Sequence, residues 1–125
     1  LKMKLIKILF FIVNIAFIIF YIYPGSIFGC LFYKDCLIQP QLTKDFIISS
    51  NHFYAFLIIS LCGFQIFIQN YKNLIILYLS SSVILELSHL IIPNRSFQFS
   101  DMFGNIAGVI VSFAIIKLIN YWRKK

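Results

Sequence analysis

The chain consists of four long apolar runs separated by short polar segments. The runs cover residues 5–23, 52–68, 74–92 and 102–121. Pro24-Gly25 ends the first run and Pro93 ends the third, while the polar stretch 69–73 separates the second from the third. A helix needs about 20 predominantly apolar residues to cross a bilayer, whereas a membrane strand would alternate apolar and polar residues. The pattern predicts an all-α polytopic membrane protein: a four-transmembrane-helix bundle in one domain, residues 1–125, with an outer loop at 24–51.

Composition points to lipid as the surrounding medium. Hydrophobic residues make up 61% of the chain and charged residues 12%, against about half and about a quarter in soluble domains. The lipid bilayer is therefore the expected partner. The net charge of +7 does not indicate a nucleic-acid partner, because the chain has no basic surface larger than a short tail.

The distribution of Lys and Arg around the runs predicts the orientation. Eight lie on one side, namely Lys2, Lys4, Lys7, Lys72, Lys117, Arg123, Lys124 and Lys125, and three on the other, namely Lys34, Lys44 and Arg95. Because basic residues favour the inner side, the N and C termini are predicted to be cytoplasmic in a multi-pass protein of the inner (plasma) membrane. Tyr21, Tyr23, Tyr121 and Trp122, near run ends, are typical of an aromatic belt.

Three cysteines leave one question open. Cys62 falls within an apolar run and is expected to be an inert core residue. Cys30 and Cys36 lie in the outer loop, where an oxidising compartment would let them pair. Two free thiols is the favoured interpretation, because sequence does not show whether the bond geometry can be reached.

Unusual polar residues of the second, third and fourth runs are expected at one level of the bundle. The set is His52, Glu86, His89, Arg95, Asp101 and Asn105. Ser82, Glu86 and His89 step by four and three along one helical face. Asp101, Asn105, Gly108 and Ser112 do the same on the fourth run, where Gly104 and Gly108 also form a G-x-x-x-G pattern that favours close helix approach. A charge inside the bilayer costs about 2.5–3.5 kcal/mol on the insertion scale, so Glu86 should face inward and meet Arg95, His52 or His89.

The second half of the chain resembles the VanZ-like family of bacterial membrane proteins. The resemblance is carried by Glu86, His89, Pro93, Arg95, Asp101, Asn105 and Gly108 at the family's spacings, together with His52-Phe-Tyr-Ala-Phe upstream. Ile48-Ser49 stands where the family often has Asp-Lys, and His89 stands for the usual Gln. The resemblance implies a bacterial cell-envelope protein, with members linked to glycopeptide-antibiotic resistance, and it implies no reaction.

Three hypotheses follow for the polar set. In the first, Arg95, Asp101 and Asn105 bind an anionic envelope lipid or lipid-linked precursor, while Glu86, His89 and His52 handle protons as catalytic groups. In the second, pairs such as Glu86–Arg95 and Asp101–Asn105 only tie helices together in a structural or assembly protein. In the third, which is the least specific, His52, Glu86, His89 and Asp101 hold Zn²⁺. Because the zinc hypothesis is the least favoured, no metal is predicted. No cofactor is predicted either, since no nucleotide fingerprint or nucleophile elbow is present. Whether the chain is an enzyme, and its oligomeric state, stay open.

Overall fold

The chain folds into five α-helices and no strands. A computed structural model describes all residues, 1–125. The helices are α1 (Lys2–Ile22), α2 (Ile27–Tyr33), α3 (Ser50–Ile66), α4 (Tyr71–Ser88) and α5 (Phe99–Arg123), with a 3-10 turn at Ile68–Asn70 between α3 and α4. Each of the four apolar runs forms one long helix, so the prediction of an all-α chain is confirmed.

Helix α4 ends four residues earlier than its apolar run. The run continues to Ile92, but the amides of Ile91 and Ile92 both bond back to the carbonyl of Ser88 in a turn. The amide of Arg95 then bonds to the Ile92 carbonyl, with Asn94 at a φ of 59°. Apolar sequence continues through this turn, so hydropathy alone overestimates the helix. His89 consequently caps α4 instead of lying within it.

Two helices are long and apolar enough to cross a membrane by themselves. They are α1, with 21 residues, and α5, with 25. A third candidate arises if α3 and α4 count as one span, although the chain bends by 106° between them. Helix α3 has only 17 residues, which at 1.5 Å per residue is about 26 Å, slightly short of the roughly 30 Å hydrocarbon core.

Most apolar side chains lie on the outside of the helices. Only 23 of the 125 residues are buried, and exposed ones include Phe11, Ile15, Ile58 and Ile84, each more than half exposed. A water-soluble monomer rarely exposes such a continuous apolar surface. The fold therefore suits a membrane environment.

The four long helices alternate in direction. The ends of α1 and α4 therefore lie beside the starts of α3 and α5, where the polar residues are, and Lys7 and Lys117 lie at the opposite end. The amide of Ser49 bonds to the carbonyl of Ser100, which places the starts of α3 and α5 side by side. At the far end, Lys7 of α1 lies over the ring of Phe67, and Lys117 of α5 lies over the ring of Tyr71. The polar residues of the predicted set all belong to the first of these ends.

Helices α3 and α5 approach each other most closely, through the predicted G-x-x-x-G pattern. A Cβ on Gly104 would come within 2.8 Å of the Ser49 carbonyl oxygen, and one on Gly108 within 2.5 Å of the Phe53 carbonyl oxygen. One turn further along, the hydroxyls of Ser60 and Ser112 are 2.6 Å apart and buried. Small residues along α5 thus set the spacing of the two helices that carry His52 and Asn105.

A disulfide closes part of the loop between α1 and α3, which was predicted to be the outer loop. Cys30 and Cys36 are bonded, with Cα atoms 4.2 Å apart, so the favoured interpretation of two free thiols is wrong. The backbone draws them together, because the amide of Ser26 bonds to the Cys36 carbonyl and Gly29 is packed against the Ile38 carbonyl with no room for a Cβ. We use the name clasp for residues 25–38. The free thiol of Cys62 is exposed on the outside of α3, so its assignment to the core is also wrong.

Candidate functional site

Tyr21 of α1 is the centre of a buried polar cluster. Its side chain is 8% exposed, and its ring stacks on the imidazole of His89 at 4.9 Å and meets that of His52 edge-on at 5.3 Å. The Tyr21 hydroxyl donates to Glu86 Oε2 at 2.6 Å and accepts from Asn105 Nδ2 at 2.6 Å. One phenol thereby joins side chains from α4 and α5. We define the polar cluster as Tyr21, His52, Glu86, His89, Asp101 and Asn105.

Glu86 is completely buried, and both oxygens of its carboxylate have polar partners. Oε2 accepts from Tyr21, while Oε1 accepts from the backbone amide of Gln98 at 3.1 Å and lies 3.3 Å from His89 Nδ1. The amide of Gln98 is available because it is the N-cap of α5 and has no partner within its own helix. Hydrogen bonds from three elements therefore offset the desolvation of this group.

His89 links Glu86 to the end of α1. Its Nε2 lies 3.0 Å from the backbone carbonyl oxygen of Tyr21. A carbonyl only accepts, so Nε2 carries a hydrogen, and Nδ1 is the nitrogen that faces Glu86. The position of His89 at the cap of α4, three residues after Glu86, makes this arrangement possible.

His52 lies between Asn105 and Asp101 of α5. Its Nδ1 is 3.0 Å from Asn105 Oδ1 and 2.9 Å from the Tyr21 hydroxyl, and its Nε2 is 3.5 Å from Asp101 Oδ2. The amide orientation of Asn105 follows from its other contact, since Nδ2 donates to the Ser82 carbonyl at 3.3 Å. The Asn105 oxygen must then accept, which places the hydrogen of the His52 ring on Nδ1.

Arg95 binds the end of α1 instead of an acid. Its Nε donates to the Tyr23 carbonyl at 3.0 Å and its Nη2 to the Phe20 carbonyl at 3.2 Å. The last carbonyls of a helix lack intrahelical partners and carry partial negative charge, so a guanidinium suits them. Burial lowers the pKa of Arg95, and the nearby Tyr21, Glu86 and Asp101 oppose this; the group stays cationic.

Three members of the polar cluster, together with Arg95, border one cavity of about 550 Å³. Its walls are mainly apolar and come from α1, α3 and the outer loop, including Phe17, Phe20, Phe28, Phe32 and Ile58. His52, His89 and Arg95 are the basic groups of the wall, and Tyr21 and Tyr54 contribute phenols. Small-molecule sites are commonly cavities of this size with a few polar groups among apolar walls.

The residues of the zinc hypothesis come close together without forming an open ligand set. Donor atoms of His52, Glu86 and Asp101 lie within 4.8 Å of one another. Both carboxylate oxygens of Glu86 and the Nδ1 of His52 already take part in hydrogen bonds to protein groups. A metal would have to replace these bonds, so the donor set fits a hydrogen-bonded cluster better than a cation.

The structure brings together five of the six predicted residues and separates two expected pairs. Two of the three candidate partners of Glu86 are near it: His89 Nδ1 lies 3.3 Å from Oε1 and His52 Nδ1 lies 3.9 Å from Oε2. Glu86 and Arg95 form no ion pair, because α1 supplies carbonyls closer to the guanidinium. Asp101 and Asn105 do not bond to each other either; stacked on one face of α5, both contact His52 on α3.

Tyr21 was not among the predicted site residues, and its assignment to an aromatic belt is wrong. A signal for its role exists in the sequence. Phe10, Asn14, Phe17 and Tyr21 step by four, three and four, so they share one face of α1, and that face holds the two buried residues of the helix. A buried tyrosine needs a partner for its hydroxyl, which points to the polar cluster.

Comparison with known proteins gives no assignment. No protein-family model, no curated protein and no solved structure matches the chain. The polar cluster and the cavity are therefore the features that bear on function.

Proposed function

We propose that this chain is a VanZ-like inner-membrane protein of the bacterial cell envelope that binds an anionic envelope lipid or lipid-linked precursor. In this proposal four helices cross the membrane, both termini are cytoplasmic, and the polar cluster lies at the outer-leaflet end. Two features support it: the alternating helix directions, and the basic far end with Lys7 and Lys117. A part in glycopeptide resistance follows from the resemblance alone.

One observation carries the binding proposal: Arg95 has unused donors in the wall of an apolar cavity. A guanidinium has five N–H groups, and the carbonyls of Phe20 and Tyr23 take two. The remaining N–H groups are available to a phosphate or carboxylate, for which the planar fork is well suited. The apolar walls then suit the hydrocarbon part of the same molecule.

The two histidines give the site its potential for proton chemistry. His52 and His89 border the cavity, and each has a carboxylate behind it, Asp101 at 3.5 Å and Glu86 at 3.3 Å. In a general acid–base site a third group holds the base and the base's other side faces the substrate. Here the other nitrogen faces the Tyr21 carbonyl in His89 and the Asn105 oxygen in His52, so proton transfer to a ligand requires one of these bonds to open. The roles of Glu86, His89 and His52 as proton carriers are part of the proposal.

Arg95→Gln is expected to weaken binding of an anionic lipid at least about tenfold. A hydrogen bond to a charged group contributes about 1.5–3 kcal/mol, and about 1.4 kcal/mol corresponds to a factor of ten. Purified protein in zwitterionic nanodiscs would be titrated with phosphatidylglycerol and with phosphatidylcholine. The control is Lys44→Gln, an exposed cation on the same loop side, which should leave affinity unchanged. Equal affinities of Arg95→Gln and the unmodified protein would refute the proposal.

The orientation has a separate test in the clasp cysteines. In a Cys62→Ala background, Cys30 and Cys36 should react with a membrane-impermeant maleimide in intact cells only after mild reduction. The disulfide blocks both thiols beforehand, and the proposed orientation puts the loop on the accessible side. Labelling that requires permeabilised cells would place the loop, and with it the cluster, on the cytoplasmic side.

A second candidate function is structural, and a specific observation favours it. No buried side-chain nitrogen or oxygen lacks a hydrogen-bond partner, so the cluster is complete without a ligand. The cluster and Arg95 also hold the end of α1, a helix otherwise largely exposed. Under this alternative, Arg95→Gln lowers thermal stability and leaves lipid affinity unchanged.

A further inference from the structure

We infer that the polar cluster holds two shared protons, one between His89 and Glu86 and one between His52 and Asp101, and that the Tyr21 hydroxyl couples the two pairs. The protons are assigned from the hydrogen-bond geometry of the protein alone. Only the consequence for the ligand, given below, rests on the proposed function.

The first proton follows from the contacts of His89. Its Nε2 must carry a hydrogen, because it faces the carbonyl oxygen of Tyr21 at 3.0 Å. Its Nδ1 faces Glu86 Oε1 at 3.3 Å, and Glu86 has no exposure to solvent. Two opposed lone pairs in such a site would repel each other and leave the buried His89 Nδ1 without a donor, which is unfavourable. One proton therefore lies between Nδ1 and Oε1, on either partner.

The second proton follows in the same way from His52. Asn105 Nδ2 donates to the carbonyl of Ser82 and to the Tyr21 hydroxyl, which uses both of its hydrogens. Asn105 Oδ1 is thus an acceptor, and His52 Nδ1 donates to it at 3.0 Å. The opposite nitrogen, Nε2, faces Asp101 Oδ2 at 3.5 Å. A proton between these two atoms removes the repulsion of their lone pairs.

Tyr21 connects the pairs because its hydroxyl touches both. It donates to Glu86 Oε2 and lies 2.9 Å from His52 Nδ1. A change of charge on Glu86 alters the polarity of the phenol, and through it the electron density at the His52 ring. Tyr21 is accordingly a positioning residue that makes the two pairs respond as one unit.

The charge of the site limits its ligand. Each pair has no net charge, because the negative charge of the carboxylate is balanced by the shared proton and the imidazole is otherwise neutral. The ionisable groups that face the pairs are Tyr21, which is neutral, and Arg95, which contributes one positive charge. A monoanionic head group, such as a phosphodiester or a carboxylate, neutralises this site, whereas a dianionic phosphomonoester leaves a buried negative charge. The ligand class is therefore a monoanionic amphiphile.

Nitrogen NMR of labelled histidine tests the inference without any ligand. The chain has only two histidines, so ¹⁵N-histidine protein in zwitterionic nanodiscs gives resolvable ring signals, assigned with His52→Gln. At neutral pH we expect His89 Nε2 and His52 Nδ1 to have the chemical shifts of protonated ring nitrogens. Glu86→Gln should then shift the His52 signals, and it should fail to do so in a Tyr21→Phe background. Tyr78→Phe, which removes a buried hydroxyl that bonds to the Ile59 carbonyl outside the polar cluster, is the matched control and should preserve the shift.

Two results would overturn the inference. The first is an unprotonated His89 Nε2 or His52 Nδ1 in the unmodified protein. This measurement does not depend on whether any variant folds. The second is an equal Glu86→Gln effect on His52 with and without the Tyr21 hydroxyl. Because no lipid is added, both outcomes are independent of the binding experiment with Arg95→Gln.

Discussion

Replacing Glu86 with alanine is expected to lower the free energy of unfolding by about 3–5 kcal/mol. The substitution removes the acceptor of the Tyr21 hydroxyl, of the Gln98 amide and of the His89 ring in a site with no exposure. Each desolvated donor left without a partner costs about 1–3 kcal/mol. The end of α1 should loosen first, since Tyr21 and His89 hold it.

The measurement is thermal or denaturant unfolding in one detergent, with Leu87→Ala as control. Leu87 is the next residue along α4, and its side chain is 46% exposed, so its truncation removes outward apolar surface without opening the cluster. The stability of Glu86→Gln should fall between those of Glu86→Ala and Leu87→Ala, because glutamine keeps the shape of the side chain and one acceptor oxygen. A Glu86→Ala protein as stable as Leu87→Ala would mean that the cluster does not hold the helices together.

Gly108→Leu is expected to destabilise the protein by at least about 3 kcal/mol by forcing α3 and α5 apart. Even the first added carbon would lie 2.5 Å from the Phe53 carbonyl oxygen and 2.8 Å from the Leu57 amide nitrogen, and backbone cannot move aside as a side chain does. Overpacking costs typically 1–3 kcal/mol and more where backbone is displaced. The gain in helix propensity from replacing glycine, about 1 kcal/mol, has the opposite sign and is smaller.

Ala114→Leu is the matched control, because it places the same side chain on the exposed face of the same helix. We expect its free energy of unfolding to stay within about 0.5 kcal/mol of that of the unmodified protein, as for surface substitutions in general. The Gly108→Leu effect should also reach the site, since α3 carries His52 and α5 carries Asn105. If both leucine variants unfold alike, the close approach of α3 and α5 is not needed for stability.

The helices were predictable from the sequence because their cause is local. A backbone in an apolar run satisfies its hydrogen bonds within one segment by forming a helix, whatever its neighbours do. The ends were less predictable, as at α4, where the apolar residues Leu90 to Ile92 form the turn after the helix. Hydropathy measures the solvent a residue prefers and not where the backbone changes direction.

Part of the site was also predictable, since helical spacing fixes which residues share a face. Ser82, Glu86 and His89 are buried together, as are Asn105, Gly108 and Ser112. The partners were not predictable in the same way. Arg95 was expected beside an acid, yet it binds carbonyls of α1, and this depends on the position of a helix more than 70 residues away in sequence.

The sequence by itself determined that this protein is helical, apolar on its outside, and provided with a small set of buried polar residues at defined spacings. Only the tertiary structure decided that Tyr21 lies at the centre of that set, that the clasp is closed by a disulfide, and which nitrogen of each histidine faces a carboxylate. The physical reason is range: helix formation and facial spacing follow from neighbours a few residues apart, whereas hydrogen-bond partners follow from how separate helices pack.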